Sequence, residues 1–259
     1  MNPEKLRSGL RAAGMATLTM SMLGGVELHQ RLSRSADKQP LFQAWMKLWA
    51  ARLLDLFGAR ITLCTDLPPA AAGGRLVVAN HRSPMDILLM LRYFGGVVLS
   101  RSDLADWPVI GLAARRAETI FVDRENTVSG VLAVRALRDR LERGRTVIVF
   151  PEGTTVAGDS VLPFQEGAFA ACRGLPAEIV PVGIAYTPGT EFIEDSFVAH
   201  VKRVAQRPIT RIALAVGAPR PVQGTRRQLT ETLHADVQQL VHRARAALPQ
   251  NGRGSGASP

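Results

Sequence analysis

From residue 60 onward, the chain alternates between short apolar runs and longer segments in which apolar residues recur every three or four positions. The short runs are rich in Val and Ile and are bounded by Gly, Pro or charged residues, which is typical of buried strands. Strands are predicted at residues 60–64, 75–79, 96–100, 119–122, 146–150, 178–185 and 211–216. Helices are predicted between and after them at residues 84–94, 108–114, 127–143, 167–173 and 226–248. This alternation predicts an α/β layered domain.

The helix at residues 127–143 has the clearest pattern of these segments. Its arginines are expected to face solvent, and Gly144 is expected to end it. Its predicted inner face consists of Val128, Val131, Val134, Leu137 and Leu141.

The first sixty residues contain two apolar helical segments separated by a polar stretch at residues 31–40. The second segment, 41–58, carries two tryptophans beside basic residues, and Gly58 is a stop signal. Its apolar stripe fits core packing, and it fits an interfacial membrane anchor as well. We therefore divide the chain into a helix pair at 1–59 with possible membrane contact, a main domain at 60–248, and a disordered tail at 249–259.

Composition limits the possible partners. The 259 residues are 46% hydrophobic, which is enough for one large core, and the net charge of +10 is carried almost entirely by arginine. Arginine favours an anionic partner, which could be a lipid surface, a phosphorylated substrate or a nucleic acid. Only 5% of the residues are aromatic and no nucleic-acid-binding motif is present, so a nucleic acid is the least favoured of the three.

Cysteine usage and the first apolar segment bear on the compartment. Cys64 and Cys172 are too few for a disulfide framework, so a reducing compartment is expected, with both thiols packed as small hydrophobic groups. Residues 9–28 are diluted by Thr, Ser and Gly and have no convincing cleavage site. We expect this segment to be retained and to face the cytoplasm.

The predicted strand 75–79 delivers Asn80 and His81 to its carboxyl end, where α/β proteins place ligand sites. Ser83 and the proline after it fit the start of a helix without any catalytic role. His81 is not explained by capping, and it can fold back toward Asp86 in the first helical turn. A histidine held in one tautomer by a carboxylate can accept a proton from a hydroxyl, so His81 is a candidate base and Asp86 its orienting partner.

Two more strands end in polar segments. Strand 146–150 runs into Pro151, Glu152 and Gly153, and strand 119–122 runs into Asp123 and Arg124. Asn126 or Thr127 fits the cap of the next helix, which explains part of the second segment without function. Three strands that all end in polar residues predict one shared pocket. The remaining histidines lack metal-ligand spacing or nearby partners and are interpreted as surface or core residues: His29, His200, His234 and His242.

The segments NHRSPMD at 80–86, IFVDR at 120–124, FPEGT at 150–154 and VPV at 180–182 carry a resemblance. In content, order and interval they resemble the four blocks of the 1-acylglycerol-3-phosphate O-acyltransferase family, within the glycerolipid acyltransferases. The resemblance spans roughly residues 45–216. It implies a mixed, largely parallel sheet flanked by helices, with an N-terminal helix pair and a catalytic domain at 60–248.

The resemblance also implies a mechanism and a set of site residues. His81, oriented by Asp86, would deprotonate the hydroxyl of a lysophospholipid, most simply 1-acyl-sn-glycerol-3-phosphate, as it attacks acyl-CoA or acyl carrier protein. Neither a metal nor a cofactor is implied. Binding of the acceptor is assigned to Arg124, Glu152, Gly153, Thr154 and Arg101. In these assignments Glu152 orients Arg124 or another donor, since a carboxylate repels phosphate, and Arg101 stands where many members carry a lysine.

Other functions remain open at the level of sequence. Relatives with similar blocks acylate lyso-ornithine lipids or other lysolipids, and the arginine-rich sequence does not discriminate among acceptors. A non-catalytic module that binds anionic lipid is a more remote alternative supported by charge alone. The expected location is the cytoplasmic face of the cell membrane, as a peripheral or monotopic protein, in contact with an anionic surface.

Overall fold

The computed structural model describes residues 2–106, 110–123, 125–193 and 196–249. The helices are α1 (Pro3–Leu32), α2 (Gln39–Leu56), α3 (Met85–Tyr93), α4 (Ile110–Arg116), α5 (Thr127–Glu142), α6 (Gly167–Ala170), α7 (Phe197–Gln206) and α8 (Arg226–Ala246). The strands are β1 (Ala59–Leu63), β2 (Gly74–Ala79), β3 (Val97–Arg101), β4 (Ile120–Val122), β5 (Thr146–Val149), β6 (Ala177–Tyr186), β7 (Thr210–Val216) and β8 (Arg220–Pro221). A short 3-10 helix, Ser102–Asp106, follows β3.

Within the described residues, the strands form one sheet in the order β1-β7-β6-β2-β5-β3-β4, with β8 paired to β6. β2 lies at its centre and pairs in parallel with β5 and β6. The pairing of β6 with β7 is antiparallel, so the sheet is mixed and largely parallel, as predicted. Every residue of β2 is buried, because helices cover both faces of the sheet.

The two faces of the sheet support separate cores. Val77 of β2 packs with residues of α1, α2, α3 and α7. Leu76 and Val78 point the other way, as alternate residues of a strand must, and pack with residues of α5 and α8. The residues that follow β2 therefore emerge between two well-filled layers.

α1 is tied to the main domain by arginines of its first turns. Arg7 donates to the carbonyl oxygen of Gln206 at 2.6 Å. Arg11 donates to the carbonyl oxygen of Arg207 at 2.5 Å and to that of Ala205 at 3.2 Å. These acceptors are backbone carbonyl oxygens at and just beyond the C-terminal end of α7, which have no partner within that helix. The arginines of α1 therefore supply the hydrogen-bond donors for the end of α7. Among the described residues, no helix has both the length and the hydropathy of a membrane span.

The predicted strands and most predicted helices are confirmed with ends shifted by a few residues. The sequence prediction omitted α7, β8 and the 3-10 helix. Residues 107–109, at the predicted start of α4, and residues 250–259 of the predicted tail lie outside the described residues. Both cysteines are free, with Cys172 buried and Cys64 partly exposed.

The predicted inner face of α5 is wrong in its first two turns. Val128 is 67% exposed and Val131 is 48% exposed, whereas Ala133, Leu137 and Leu141 are buried. A spacing of three residues falls about 60° short of a full helical turn, so a run of such spacings winds off the buried face. The spacing of four from residue 133 onward marks the face that meets the sheet.

Candidate active site

Asn80 fixes the point at which the chain leaves β2. Its side-chain amide donates to the carbonyl oxygen of Ile184 at 2.9 Å and accepts from the Ile184 N–H at 2.7 Å. The side chain thus continues the pairing of β2 with β6 for one position beyond the strand. The backbone is free to turn there, which projects His81 from the carboxyl end of the central strand.

His81 and Asp86 lie in direct contact, as the sequence predicted. The Nδ1 atom of His81 is 2.9 Å from Oδ2 of Asp86, with the Asp86 side chain fully buried and that of His81 19% exposed. The same oxygen accepts the backbone N–H groups of Arg82 at 2.6 Å and Ser83 at 2.8 Å. A carboxylate can only accept in this contact, so Nδ1 carries the proton and Nε2 is left as a proton acceptor.

Phe150 supports the imidazole from one face. The two ring centroids are 4.3 Å apart and the rings are inclined by 19°, a stacked arrangement. Phe150 directly follows β5, the neighbour of β2 in the sheet. The His81 ring is therefore restrained by Asp86 at its edge and by Phe150 on its face.

Tyr186, at the end of β6, binds the other oxygen of Asp86. Its hydroxyl donates to Oδ1 at 2.5 Å, and the side chain is almost fully buried. Burial, followed by the negative charge of Asp86, holds the pKa of Tyr186 well above its ordinary value. The phenol is therefore a neutral donor across the physiological pH range.

Arg82 and Glu152 form a buried ion pair beneath the histidine. Nη1 of Arg82 lies 2.9 Å from Oε1 of Glu152, and both side chains are almost inaccessible. Glu152 also accepts the backbone N–H of His81 at 2.6 Å and that of Leu162 at 2.8 Å. The remaining donors of Arg82 bind the carbonyl oxygens of Gly158 and Ser160, each at 2.8 Å. The pair thereby fixes the backbone of His81 and the loop after β5.

The residues predicted to bind the acceptor occupy different environments. Gly153 adopts a positive φ of 78° and lines the main cavity together with the exposed Thr154. Arg101 also lines the cavity and pairs with Asp103 at 3.1 Å on the surface. Among the described residues, the arginine that pairs with Glu152 is Arg82. Arg124 lies outside the described residues, so its predicted contact stays a prediction.

The ends of β2 and β5 meet at one cavity, whereas the loop after β4 is farther along the sheet. Of the described residues in that loop, Asp123, Glu125 and Asn126, none lines the cavity. Asn126 caps α5 by accepting the N–H groups of Val128 and Ser129. That outcome agrees with the capping interpretation of the loop.

The cavity beside His81 has a volume of about 420 Å³ and a mostly apolar lining. That volume is within the range of small-molecule sites. One wall comes from the N-terminal helices through Met15, Met46 and Trp49, and another from Leu88 of α3. Polar groups are confined mainly to the neighbourhood of His81 and to the strand-end loops. The arrangement suits a molecule with a long apolar part and a reacting polar group.

Sequence reasoning missed several residues that hold the site together. No role is predicted for Arg82, although the arginine next to His81 and the glutamate in the third block indicate an ion pair. His200 is a buried core residue, within the surface-or-core interpretation, but it does have polar partners. Its Nε2 lies 3.3 Å from Oγ of Ser83 and its Nδ1 lies 3.2 Å from Nη2 of Arg203. Ser196 and the apolar spacing after it were an overlooked signal for α7, which carries His200.

The fold and the sequence blocks around this site are those of an O-acyltransferase. Residues 62–185 match the family model described as Acyltransferase. The lyso-ornithine lipid O-acyltransferase of Pseudomonas aeruginosa is 31% identical over 230 residues, which cover 85% of this chain and 87% of that relative. The chain therefore belongs to the acyltransferase family, as its blocks predicted.

Two further relatives extend the comparison. The 1-acyl-sn-glycerol-3-phosphate acyltransferase of Neisseria gonorrhoeae is 31% identical over 118 residues, covering 46% of each chain. The crystal structure of the 1-acyl-sn-glycerophosphate acyltransferase from Thermotoga maritima superposes with a TM-score of 0.72 at 21% identity. It covers 95% of this chain and 100% of that chain, so the two share the whole fold.

Proposed function

We propose that this enzyme transfers a fatty acyl group from acyl-CoA or acyl carrier protein to the free hydroxyl of a lysolipid. The observation that carries the proposal is the His81–Asp86 pair, with Nδ1 and Oδ2 2.9 Å apart, at the wall of a largely apolar cavity. A proton acceptor beside an apolar cavity fits a hydroxyl attached to a long hydrocarbon chain.

The proposed step is a direct transfer. As the acceptor oxygen attacks the thioester carbonyl, its proton passes to Nε2 of His81 while Nδ1 stays bound to Asp86. The carbon–sulfur bond then breaks, and the departing thiolate takes up the proton from His81. The new ester and the free thiol account for every atom, and no acyl-enzyme is formed.

The acceptor headgroup is proposed to lie against the strand-end loops. Gly153 offers close approach of the backbone, Thr154 a hydroxyl, and Arg101 and Arg124 positive charge for an anionic group. Glu152 acts indirectly in this proposal, because its carboxylate is buried and already bound by Arg82. Its part is to hold the loop that carries Gly153 and Thr154.

Two acceptors fit this chemistry. The sequence blocks favour 1-acyl-sn-glycerol-3-phosphate, whose phosphate would suit the arginines. A lyso-ornithine lipid is the second candidate, because the matches to two lyso-ornithine lipid O-acyltransferases extend over 230 and 189 residues, against 118 for the Neisseria relative. The Arg101–Asp103 pair at the cavity would also suit a headgroup that carries both charges.

The enzyme is proposed to work on the cytoplasmic face of the membrane, where its lipid substrates reside. α1 supports this, because several large apolar residues on it are exposed. They are Leu6 at 44%, Leu10 at 64%, Met20 at 54%, Leu28 at 59% and Leu32 at 73%. At 100° per residue they fall within about one third of the helix circumference, a face that also carries Thr17, Ser21 and Gly24.

The test is acyl transfer by the purified enzyme with a labelled acyl-CoA and a panel of lysolipids in detergent micelles. His81→Ala is expected to lower kcat by roughly 100- to 10,000-fold, the range for loss of a general base. His242→Ala removes an exposed imidazole on α8 and serves as the matched control, with unchanged turnover expected.

The acceptor panel contains lysophosphatidate, lyso-ornithine lipid and lysophosphatidylcholine, each assayed with acyl-CoA and with acyl carrier protein. A clear preference identifies the acceptor and the donor within the proposed reaction. If the wild-type enzyme acylated none of them, or if His81→Ala matched it throughout, the proposed function would be wrong.

A further inference from the structure

We propose that Tyr186 is a positioning residue for the reaction, holding Asp86 in the orientation and charge state that His81 needs to accept a proton. The proposal rests on the proposed function. Tyr186 belongs to none of the strand-end loops and lies 100 residues beyond Asp86 in the chain.

The contacts of Asp86 divide cleanly between its two oxygens. Oδ2 receives three donors, from Nδ1 of His81 and from the backbone N–H groups of Arg82 and Ser83, at 2.6 to 2.9 Å. Oδ1 receives the Tyr186 hydroxyl at 2.5 Å. The local loop thus determines where Oδ2 lies. The direction of Oδ1, and with it the plane of the carboxylate, depends on a residue from another strand.

Tyr186 is itself held firmly. It ends β6, where it pairs with Ile212 of β7. Its carbonyl oxygen accepts from Nη1 of Arg245 at 2.7 Å, and Arg245 is in turn bound to both carboxylate oxygens of Asp159 at 2.7 and 2.8 Å. The phenol is therefore a rigid donor, fixed through its backbone by α8.

The charge effect follows from the same hydrogen bond. Because burial and the charge of Asp86 raise the pKa of Tyr186, the phenol keeps its proton and shares the negative charge on Asp86. The attraction between the Asp86 carboxylate and a protonated His81 imidazole is then weaker. Without the hydroxyl, Oδ1 would be a buried acceptor with a lost partner, and Asp86 would hold a protonated His81 more tightly.

Several other charged or titratable groups lie near this network, and none of them is changed in the variants tested. The carboxylate of Glu152 accepts the backbone N–H of His81, and the guanidinium of Arg82 donates to the backbone carbonyl oxygen of His81. Glu191, which accepts two backbone N–H groups, also raises the pKa of Tyr186, and His200 contacts Ser83. Arg101 and Asp103 line the same cavity as His81.

The first experiment compares Tyr186→Phe with Tyr93→Phe, which removes a half-buried phenol on α3. For Tyr186→Phe we expect kcat to fall by about 10- to 100-fold, a usual cost of a misplaced catalytic group, with KM nearly unchanged. The acid limb of the pH profile of kcat is expected to move to higher pH. The His81 imidazole, followed by NMR in the substrate-free enzyme, is expected to titrate at higher pH as well. Tyr93→Phe should change none of these.

A second measurement keeps the test decisive if Tyr186→Phe folds poorly. Incorporating 3-fluorotyrosine into the Tyr93→Phe protein places the label at position 186 alone and makes that phenol a stronger donor. Both the acid limb and the imidazole titration should then move to lower pH, opposite to the Phe variant. Shifts in the same direction, or none in either protein, would overturn the proposal. Because the NMR titration needs no substrate, it tests Tyr186 even if no lysolipid is acylated.

Discussion

The guanidinium of Arg82 and the carboxylate of Glu152 meet at 2.9 Å in the interior of the domain, although they are 70 residues apart in the chain. Arg82 belongs to the NHRSPMD block and Glu152 to the FPEGT block, and each is adjacent to a residue that lines the cavity. Glu152 binds the backbone N–H of His81, and Arg82 binds the loop that follows Glu152. The pair therefore links the position of His81 to the position of the loop after β5.

Removing one member of this buried ion pair is expected to lower the free energy of unfolding far more than removing one member of an exposed ion pair. Arg82→Ala or Glu152→Ala would leave a buried charge unpaired, which typically costs about 3 to 5 kcal/mol of unfolding free energy. Denaturant titration measures that loss. The control is Arg227→Ala, which breaks the exposed pair with Glu231 on α8 and should leave stability almost unchanged. Equal losses at the two sites would contradict the role assigned to the buried pair.

Adjacent glycines on α1 should respond differently to the same substitution. A Cβ at Gly24 would meet nothing within 4 Å, so Gly24→Ala should stabilise the helix by up to about 1 kcal/mol. A Cβ at Gly25 would lie 2.6 Å from the Trp45 ring of α2, which must shift to make room. Gly25→Ala is therefore expected to melt at a lower temperature than Gly24→Ala. Indistinguishable melting temperatures would show that α1 does not pack closely against Trp45.

The exposed face of α1 makes a prediction about lipid surfaces. Leu10→Glu is expected to weaken binding to vesicles of anionic phospholipid in a flotation assay, because a carboxylate resists entry into the interface. Leu132→Glu replaces a leucine of similar exposure on α5, 57% against 64%, and should bind as the wild type does. A loss of binding in both variants would point to net charge rather than to the face of α1.

The unfolding free energy should fall at high pH. Burial raises the pKa of the Cys172 thiol from 9.0 to about 12, so above pH 9 the unfolded chain releases a proton that the folded chain retains. Stability then decreases with rising pH, by up to about 1.4 kcal/mol per unit. Cys172→Ala should flatten the start of this decline near pH 9, one unit below the ordinary tyrosine pKa of about 10. Cys64→Ala, at a partly exposed thiol, should flatten it less, and an unchanged slope in Cys172→Ala would contradict this assignment.

Much of the fold followed from local pattern. β2 and β5 are continuous apolar runs, and such runs between polar loops predict buried strands whatever surrounds them. α7 is absent from the prediction although Ser196 and the apolar spacing after it mark a helix, and the face predicted for α5 is wrong because a spacing of three drifts around a helix. In both cases the local signal was present, and the error lay in its interpretation.

The candidate site also has a part that local sequence determines and a part that depends on tertiary structure. His81 and Asp86 are five residues apart across a strand end and a helix start, so their contact is a local consequence of the chain turning there. Their identification as a pair needed only the sequence.

Tertiary structure alone decided what surrounds that pair. The order of the strands sets β6 and β5 on either side of β2, and this brings Tyr186 to Asp86, Phe150 to the His81 ring, and Glu152 to Arg82. A sequence states which residues can donate or accept. It does not state which strands become neighbours, because that depends on how the apolar faces of distant segments are buried together.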